Sequence, residues 1–396
     1  MAYLDHAATT PILPEAVAAS TAQLGLVGNP SSLHADGRRA RRVVEEARET
    51  LAAAFGARPS EVVFTSSGTE ANNLALKGLY WARRAADPRR RRIVASAVEH
   101  HAVIDPIQWL VDSEGAEVTW LPVDEVGRVS PDTLRRELAR ESESIAVVSI
   151  MWANNEVGTV QPIHQLVQVA HEYAIPIHTD AVQAAGHLSV NFDEMGADAV
   201  SLSGHKFGGP LGVGALLLTR SCSPVPLIHG GGQERDVRSG TLDTPSIAGI
   251  AAAAHIAQAT RASEASRIAA LRDELLVRLL ECVPEAIVNG DTRLEIQHRL
   301  PGNAHVSFPG CEGDSLLMLL DARGISCSTG SACSAGVAQP SHVLLAMGAD
   351  PDIARSSLRF SLGHSSTRSD VDALIGEIGP VIERARAAGA AARAGR

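Results

Sequence analysis

Long apolar runs are missing from this chain of 396 residues. None approaches the ~20 consecutive apolar residues that a membrane-spanning helix needs, so no membrane association is expected. A positive charge balance is missing as well. The net charge of −10 gives no basic footprint, and direct nucleic-acid binding is not expected. The five cysteines are odd in number and lack scaffold spacing, which points to reduced thiols and a cytoplasmic location. The opening "MAYLDHAATTPILPEA" has no basic-then-apolar leader pattern. No G-x-G-x-x-G follows a strand-like run, which argues against a dinucleotide dehydrogenase. There is no internal repeat.

What is present is ordinary globular composition, 45% hydrophobic and 20% charged, in a chain long enough for a large core and two lobes. Short β-branched runs alternate with amphipathic helices, the pattern of an α/β protein with a mainly parallel sheet. A helix is predicted over Arg38–Phe55, with Val43, Val44, Ala47, Leu51 and Ala54 on one face. Strands are predicted at 61–65, 92–96, 117–123, 145–151, 175–180 and 199–203. Most are uninterrupted apolar runs, as expected of strands covered on both faces. A long Ala- and Arg-rich helix, 250–282, reads as the link to a second lobe. The expected division is 13–255 for a large domain and 1–12 with 256–382 for a small one, and 383–396 is expected to fray. The basic run "RRAADPRRRR" has no interleaved aromatics and reads as a solvated helix end and turn.

One stretch resists a purely structural reading. In "DAVSLSGHKFGGPLGVGALLL", Lys206 sits between two buried-looking strands, among residues too small to cover it. Lysines are normally solvated. A lysine held in a dry pocket has a lowered pKa and becomes nucleophilic. In an α/β fold its common use is a Schiff base with pyridoxal phosphate, which also needs an acid at its ring nitrogen, a phosphate cradle and a cover for the ring. Asp180, ending the apolar run of "PIHTDAVQAAG", is placed for the acid, at the strand end where ligands of open α/β sheets bind. Gln183 is placed to reach the phenolic oxygen. "FTSSGTEANN" turns from a strand into a helix N-terminus, an anion site in which Gly68 permits close approach and Thr69 adds a hydroxyl. Ser203 and His205 are further phosphate donors. His100 of "SAVEHHAV" is a candidate to cover the ring, with His101 as its rival, and Asn155, which ends another apolar run, is placed to bond the phenolic oxygen or the substrate.

Ten motifs in order then carry a resemblance: "YLDHAATTP", "GNPSSLH", "FTSSGTEANN", "EHHAV", "NNEVGTVQPI", "HTDAVQAAG", "SGHKFGGPLGVGAL", "GGGQERDVRSGT", "STGSACSAG" and "SSLRFSLG". From Tyr3 to about Gly363 the chain resembles the cysteine desulfurases, fold-type I, class V aminotransferase-like pyridoxal phosphate enzymes. The resemblance implies Lys206 as the Schiff-base lysine, Asp180 at the ring nitrogen, Gln183 at the ring oxygen and His100 stacked on the ring, with Lys206 or His100 moving protons at the substrate Cα. It implies Gly68, Thr69, Ser203 and His205 around the phosphate, with Thr241 reaching in from the partner subunit of a homodimer. Arg359 would hold the substrate carboxylate, a task suited to a guanidinium, and Asn155 and Asn29 would line the substrate site. Cys333 would take the sulfur of L-cysteine as a persulfide and pass it to an acceptor protein, such as an iron–sulfur scaffold or a thiolation enzyme, or into DNA phosphorothioation. Cys327, next to a predicted strand, is the rival thiol, whereas Cys222, Cys282 and Cys311 have no such context. No metal is expected. Selenocysteine lysis is the rival chemistry, and a scaffold with a vestigial site is the rival class.

Overall fold

In the computed structural model of the chain, residues 1–293, 295–329 and 340–394 are described; Cys333 lies outside them. The strands are β1 (Ala2–Tyr3), β2 (Val62–Thr65), β3 (Arg92–Ser96), β4 (Glu117–Leu121), β5 (Ile145–Ser149), β6 (Ile177–Asp180), β7 (Ala199–Ser203), β8 (Gly214–Leu218), β9 (Ile287–Val288), β10 (Asn303–Ser307), β11 (Ile325–Ser326) and β12 (Ser357–Ser361). Between and around them run α1 (Pro14–Leu24), α2 (Ala35–Ala54), α3 (Gly68–Ala86), α4 (His101–Glu114), α5 (Pro131–Glu141), α6 (Ile163–Glu172), α7 (Phe192–Met195), α8 (Thr244–Cys282), α9 (Gly313–Asp321), α10 (His342–Ala346), α11 (Pro351–Arg355) and α12 (Arg368–Ala394).

Seven strands form one sheet in the order β2-β8-β7-β6-β5-β3-β4. β8 runs antiparallel to both its neighbours, and the other pairs are parallel. The sheet is therefore mixed, but mainly parallel as the apolar runs predict. All residues of β2, β5, β6, β7 and β8 are buried, the signature of strands covered on both faces. One core forms on each face of this sheet, the larger centred on Leu51, Phe64, Val148, Leu166 and Ile250, the other on Leu76, Tyr80, Ile93 and Ile107. A separate core joins Leu4, Leu275, Leu279, Val306, Leu316, Leu358, Phe360 and Val381 around the small sheet β12-β10-β9. Helix α8 serves both: Ile247, Ile250 and Ala254 pack in the large core, and Ile268, Leu275 and Leu279 in the small one.

The differences from the predicted elements have local causes. α2 starts at Ala35 instead of Arg38, because His34 accepts a hydrogen bond from the Gly37 N–H and caps it. α8 starts six residues earlier than the Ala-rich run, capped by the Asp243 carboxylate on the Ser246 N–H, with Pro245 in its first turn. β6 begins only after Pro176, which cannot donate to a ladder. The basic run joins α3 to β3, and its charges are met by carboxylates: Arg89 pairs with Asp87 and Glu143, and Arg92 with Glu117 and Glu141. The Ala/Arg/Gly tail, expected to fray, continues α12 to Ala394.

Candidate active site

The carboxyl ends of the parallel strands converge on one cavity of about 150 Å³. β6 ends on Asp180 and β7 on Ser203, and a single helical turn then carries His205 and Lys206. β2 leads into Gly68 and Thr69 at the start of α3, His100 precedes α4, and Asn155 follows β5. All of these, with Gln183, line the cavity. A second cavity of about 200 Å³ shares His100, Asn155, Gln183 and Lys206 and adds Arg359, Ser328, His342 and Glu156. It lies where the N-terminal segment and the small sheet meet the large one. Neither Asn29 nor Thr241 lines either cavity: both are exposed, and Asn29 accepts a hydrogen bond from the Ser31 N–H.

Lys206 is held by backbone. Its Nζ donates to the carbonyls of Ala7 (2.6 Å) and Ala8 (2.9 Å), and Gln183 Nε2 donates to the Ala7 carbonyl as well. Burial, together with the nearby Arg359 charge, pushes the Lys206 pKa down to about 8. Asp180 accepts from Asn72 Nδ2 (2.6 Å) and from the Val182 N–H (2.9 Å), which fixes its carboxylate. His100 Nδ1 accepts from the Ala102 N–H, so the ring proton belongs on Nε2. His100 is exposed through the cavity it lines, and partial desolvation of its ring by the surrounding protein lowers its pKa. His205, paired with Thr9, is lowered to about 4 by burial and by Lys206. Arg359 is 7% exposed; it donates to Asp5 Oδ1 (2.9 Å) and to the Asn155 carbonyl (3.0 Å).

The profile of the family described as aminotransferase class-V matches residues 2–374. The chain belongs to the class-V aminotransferase family. It is 57% identical over 392 residues to a protein of Mycobacterium tuberculosis named IscS-like cysteine desulfurase, covering 99% of each chain. Its fold is similar to that of a solved NifS-like protein (TM-score 0.87, 34% identity, 97% of this chain and 100% of the other). It is also similar to a structure titled SspA in complex with cysteine (TM-score 0.77, 34% identity, 92% and 99%). Among the described residues, no helix is long and apolar enough to cross a membrane.

Class-V enzymes of this kind depend on pyridoxal phosphate, and the cavity fits that group. A Cβ built on Gly68 would lie 2.8 Å from Val182 Cγ2 and 3.1 Å from Ser203 Cβ, so only glycine leaves this floor open. Ser67 Oγ takes the Glu70 N–H and the Ser67 carbonyl takes the Ala71 N–H, leaving the Gly68 and Thr69 N–H groups for an anion at the α3 N-terminus. The Thr69 and Ser203 hydroxyls and His205 line the same end. A fixed carboxylate, Asp180, stands where a protonated ring nitrogen needs one.

Sequence reasoning missed Asn72, which orients Asp180 from one helical turn beyond Gly68 and sits in the quoted "TEANN". It also missed Asp5, the ion-pair partner of Arg359, and the carbonyls of Ala7 and Ala8.

Proposed function

We propose that this chain is a homodimeric cysteine desulfurase, which takes the sulfur of L-cysteine onto Cys333, releases alanine and hands the sulfur to an acceptor protein. The observation that carries the reading is the meeting, across two adjoining cavities, of Lys206, Arg359 and both ends of the segment that bears Cys333. Ser328 and His342, which flank residues 330–339, line the cavity that contains Lys206 and Arg359. Among the remaining thiols, Cys282 is exposed at the end of α8 and lines neither cavity. Burial pushes Cys327 up to about 12 and Cys222 up to about 11, which starves both of thiolate, and Cys311 is raised by burial as well.

In this reading Arg359 binds the substrate carboxylate while Asp5 and the Asn155 carbonyl keep its guanidinium in place. Lys206, whose amine is substantially neutral near pH 8, accepts the proton at the substrate Cα and returns it. Gly68, Thr69, Ser203 and His205 hold the cofactor phosphate, Asp180 its ring nitrogen, Gln183 its ring oxygen, and His100 covers the ring. Pyridoxal phosphate supplies the electron sink that lets a bond to carbon break. Asn29 and Thr241 serve a neighbouring subunit, with Thr241 adding a phosphate contact. In support, the segment around Asn29 exposes Leu24, Leu26, Val27 and Leu33, and that before Thr241 exposes Ile228, the kind of apolar surface a subunit interface covers. The division at residues 12/13 and 255/256 places the cleft between a large and a small domain.

The test is direct. Purified protein loaded with pyridoxal phosphate should absorb in the visible, lose that band to borohydride with the cofactor fixed on Lys206, and form alanine from L-cysteine. A Lys206→Ala variant that still fixes the cofactor with borohydride, or a loaded wild type that forms no alanine, overturns the reading.

A further inference from the structure

Two buried polar atoms of the small sheet have no partner among the described residues: Nε of Arg359 and Nε2 of His305. They belong to residues that stand directly opposite each other on β12 and β10. The backbone N–H and C=O of Arg359 are spent on Ser328, on the other side of β12. His305 and Arg359 therefore form a non-hydrogen-bonded pair of the antiparallel ladder, the kind that brings its two side chains closest, on one face of the sheet. His305 is 0% exposed and lines neither cavity, so neither bulk water nor a ligand reaches its ring. Arg359 Nε–H can only donate. An unpaired buried polar group is costly, so a donor and a ring nitrogen left over on opposed side chains are more stable paired than apart.

The tautomer decides whether His305 can accept. Burial, with the Arg359 charge beside it, pushes its pKa down to about 3, so the ring is neutral and one nitrogen keeps a lone pair. Its Nδ1 lies 3.0 Å from one end of the Asn289 side-chain amide, and that same end lies 2.9 Å from Ser307 Oγ. Asn289 is itself anchored: its N–H donates to the His305 carbonyl, and its carbonyl accepts from the buried Arg299. With the amide nitrogen at the shared end, His305 Nε2 carries the proton, and the strand pair holds two buried donors and no acceptor. Turned end for end, the amide offers its oxygen to His305 Nδ1–H and to the Ser307 hydroxyl, and the lone pair moves to Nε2. Only the second arrangement gives both orphaned atoms a partner.

We propose that His305 is a positioning residue for Arg359: its Nε2 accepts from Arg359 Nε–H and sets the plane of the guanidinium that receives the substrate carboxylate. The inference rests on the desulfurase reading, in which Arg359 has that task. Asp5 already holds Nη2, and the Asn155 carbonyl holds Nη1. With Nε tied to His305, every guanidinium nitrogen has one N–H fixed, and each terminal nitrogen keeps one N–H for a carboxylate oxygen. A fork held in this way has little freedom left to lose when it binds, and that preorganisation contributes affinity. His305 touches neither substrate nor cofactor and acts through Arg359 alone.

The test is titration of the loaded enzyme, wild type against His305→Phe and His305→Gln, with two ligands. One is L-cysteine; the other is cysteamine, which has the same amine and thiol but no carboxylate. The initial change in cofactor absorbance reads each dissociation constant. The Phe ring fills the space without an acceptor, whereas the Gln side-chain oxygen can take the Arg359 Nε–H. His305→Phe should weaken L-cysteine binding by about 10-fold, the scale of one hydrogen bond to a charged group, and leave cysteamine binding at the wild-type value. His305→Gln should restore most of the lost L-cysteine affinity. Wild-type L-cysteine binding by His305→Phe overturns the proposal. So does an equal loss for both ligands, which marks a structural role, and so does a His305→Gln enzyme no better than His305→Phe. If His305→Phe fails to fold or to hold the cofactor, His305→Leu takes its place under the same criteria, and failure of both also overturns it. A wild type that forms no alanine from L-cysteine overturns the desulfurase reading itself, an outcome distinct from an active wild type whose variants bind L-cysteine unchanged.

Discussion

Replacing Arg359 by alanine removes the one Arg or Lys that, among the described residues, shares a cavity with Lys206. The guanidinium is 7% exposed and is tied to Asp5 Oδ1 at 2.9 Å and to the Asn155 carbonyl at 3.0 Å. Its backbone is held independently, paired with Ser328 on one side and with His305 of β10 on the other, so the strand should survive the change. A substrate carboxylate would lose its buried charge partner and meet an uncompensated Asp5. Breaking such a pair costs about 2–5 kcal/mol, which at 1.4 kcal/mol per decade is a rise in the apparent dissociation constant for L-cysteine of roughly 30- to 4,000-fold. The Lys206 pKa should rise, because Arg359 is one of the charges holding it down. Titration of the loaded variant with L-cysteine, followed by the cofactor absorbance, reads the first effect, and the pH dependence of covalent reloading of the cofactor-free variant reads the second. Unchanged saturation with cysteine, with the cofactor still bound, would remove Arg359 from the substrate site.

Three further outcomes follow from the same geometry. Covalent reloading of cofactor-free protein should rise with pH through about 8, where the buried Lys206 amine loses its proton, and a midpoint near that of an ordinary lysine, about 10.4, would contradict the dry pocket. Gly68→Ala should weaken pyridoxal phosphate binding by about 1–3 kcal/mol while leaving the fold intact, since the new Cβ lands 2.8 Å from Val182 Cγ2; equilibrium dialysis measures it, and wild-type affinity would refute the cradle. Glu234 accepts from both terminal nitrogens of the buried Arg48 and from the Phe64 N–H; Glu234→Ala should cost about 3–5 kcal/mol in denaturant unfolding by leaving the buried Arg48 with only the half-exposed Glu45 and the Val62 carbonyl, and a change under 1 kcal/mol would show the pair to be dispensable.

The sequence is most informative where one residue's own chemistry decides. Lys206 among glycines, Asp180 at a strand end and Gly68 at a helix start were all legible, because burial, charge and backbone freedom are written in the residue type. β3 and β7 match their predicted bounds because their apolar runs stop at residues that also stop the ladder. Partners far away in the chain were not legible. Asp5 and Arg359 are separated by 354 positions, and nothing in either local pattern announces the other. The carbonyls of Ala7 and Ala8 that hold Lys206 were hidden for a different reason: a backbone acceptor carries no residue identity. Thr241, expected to reach in from a second subunit, lines neither cavity of its own chain.

The central claim is that the protein moves the sulfur of L-cysteine onto Cys333 with the help of Lys206-bound cofactor. Loaded enzyme treated with L-cysteine, then digested and weighed peptide by peptide, tests it most directly. The account predicts one added sulfur on the peptide containing Cys333, alanine formed in step with it, and neither product from Cys333→Ser, whose cofactor spectrum stays unchanged. Added sulfur on Cys327 instead, or alanine formed at the wild-type rate by Cys333→Ser, would contradict it.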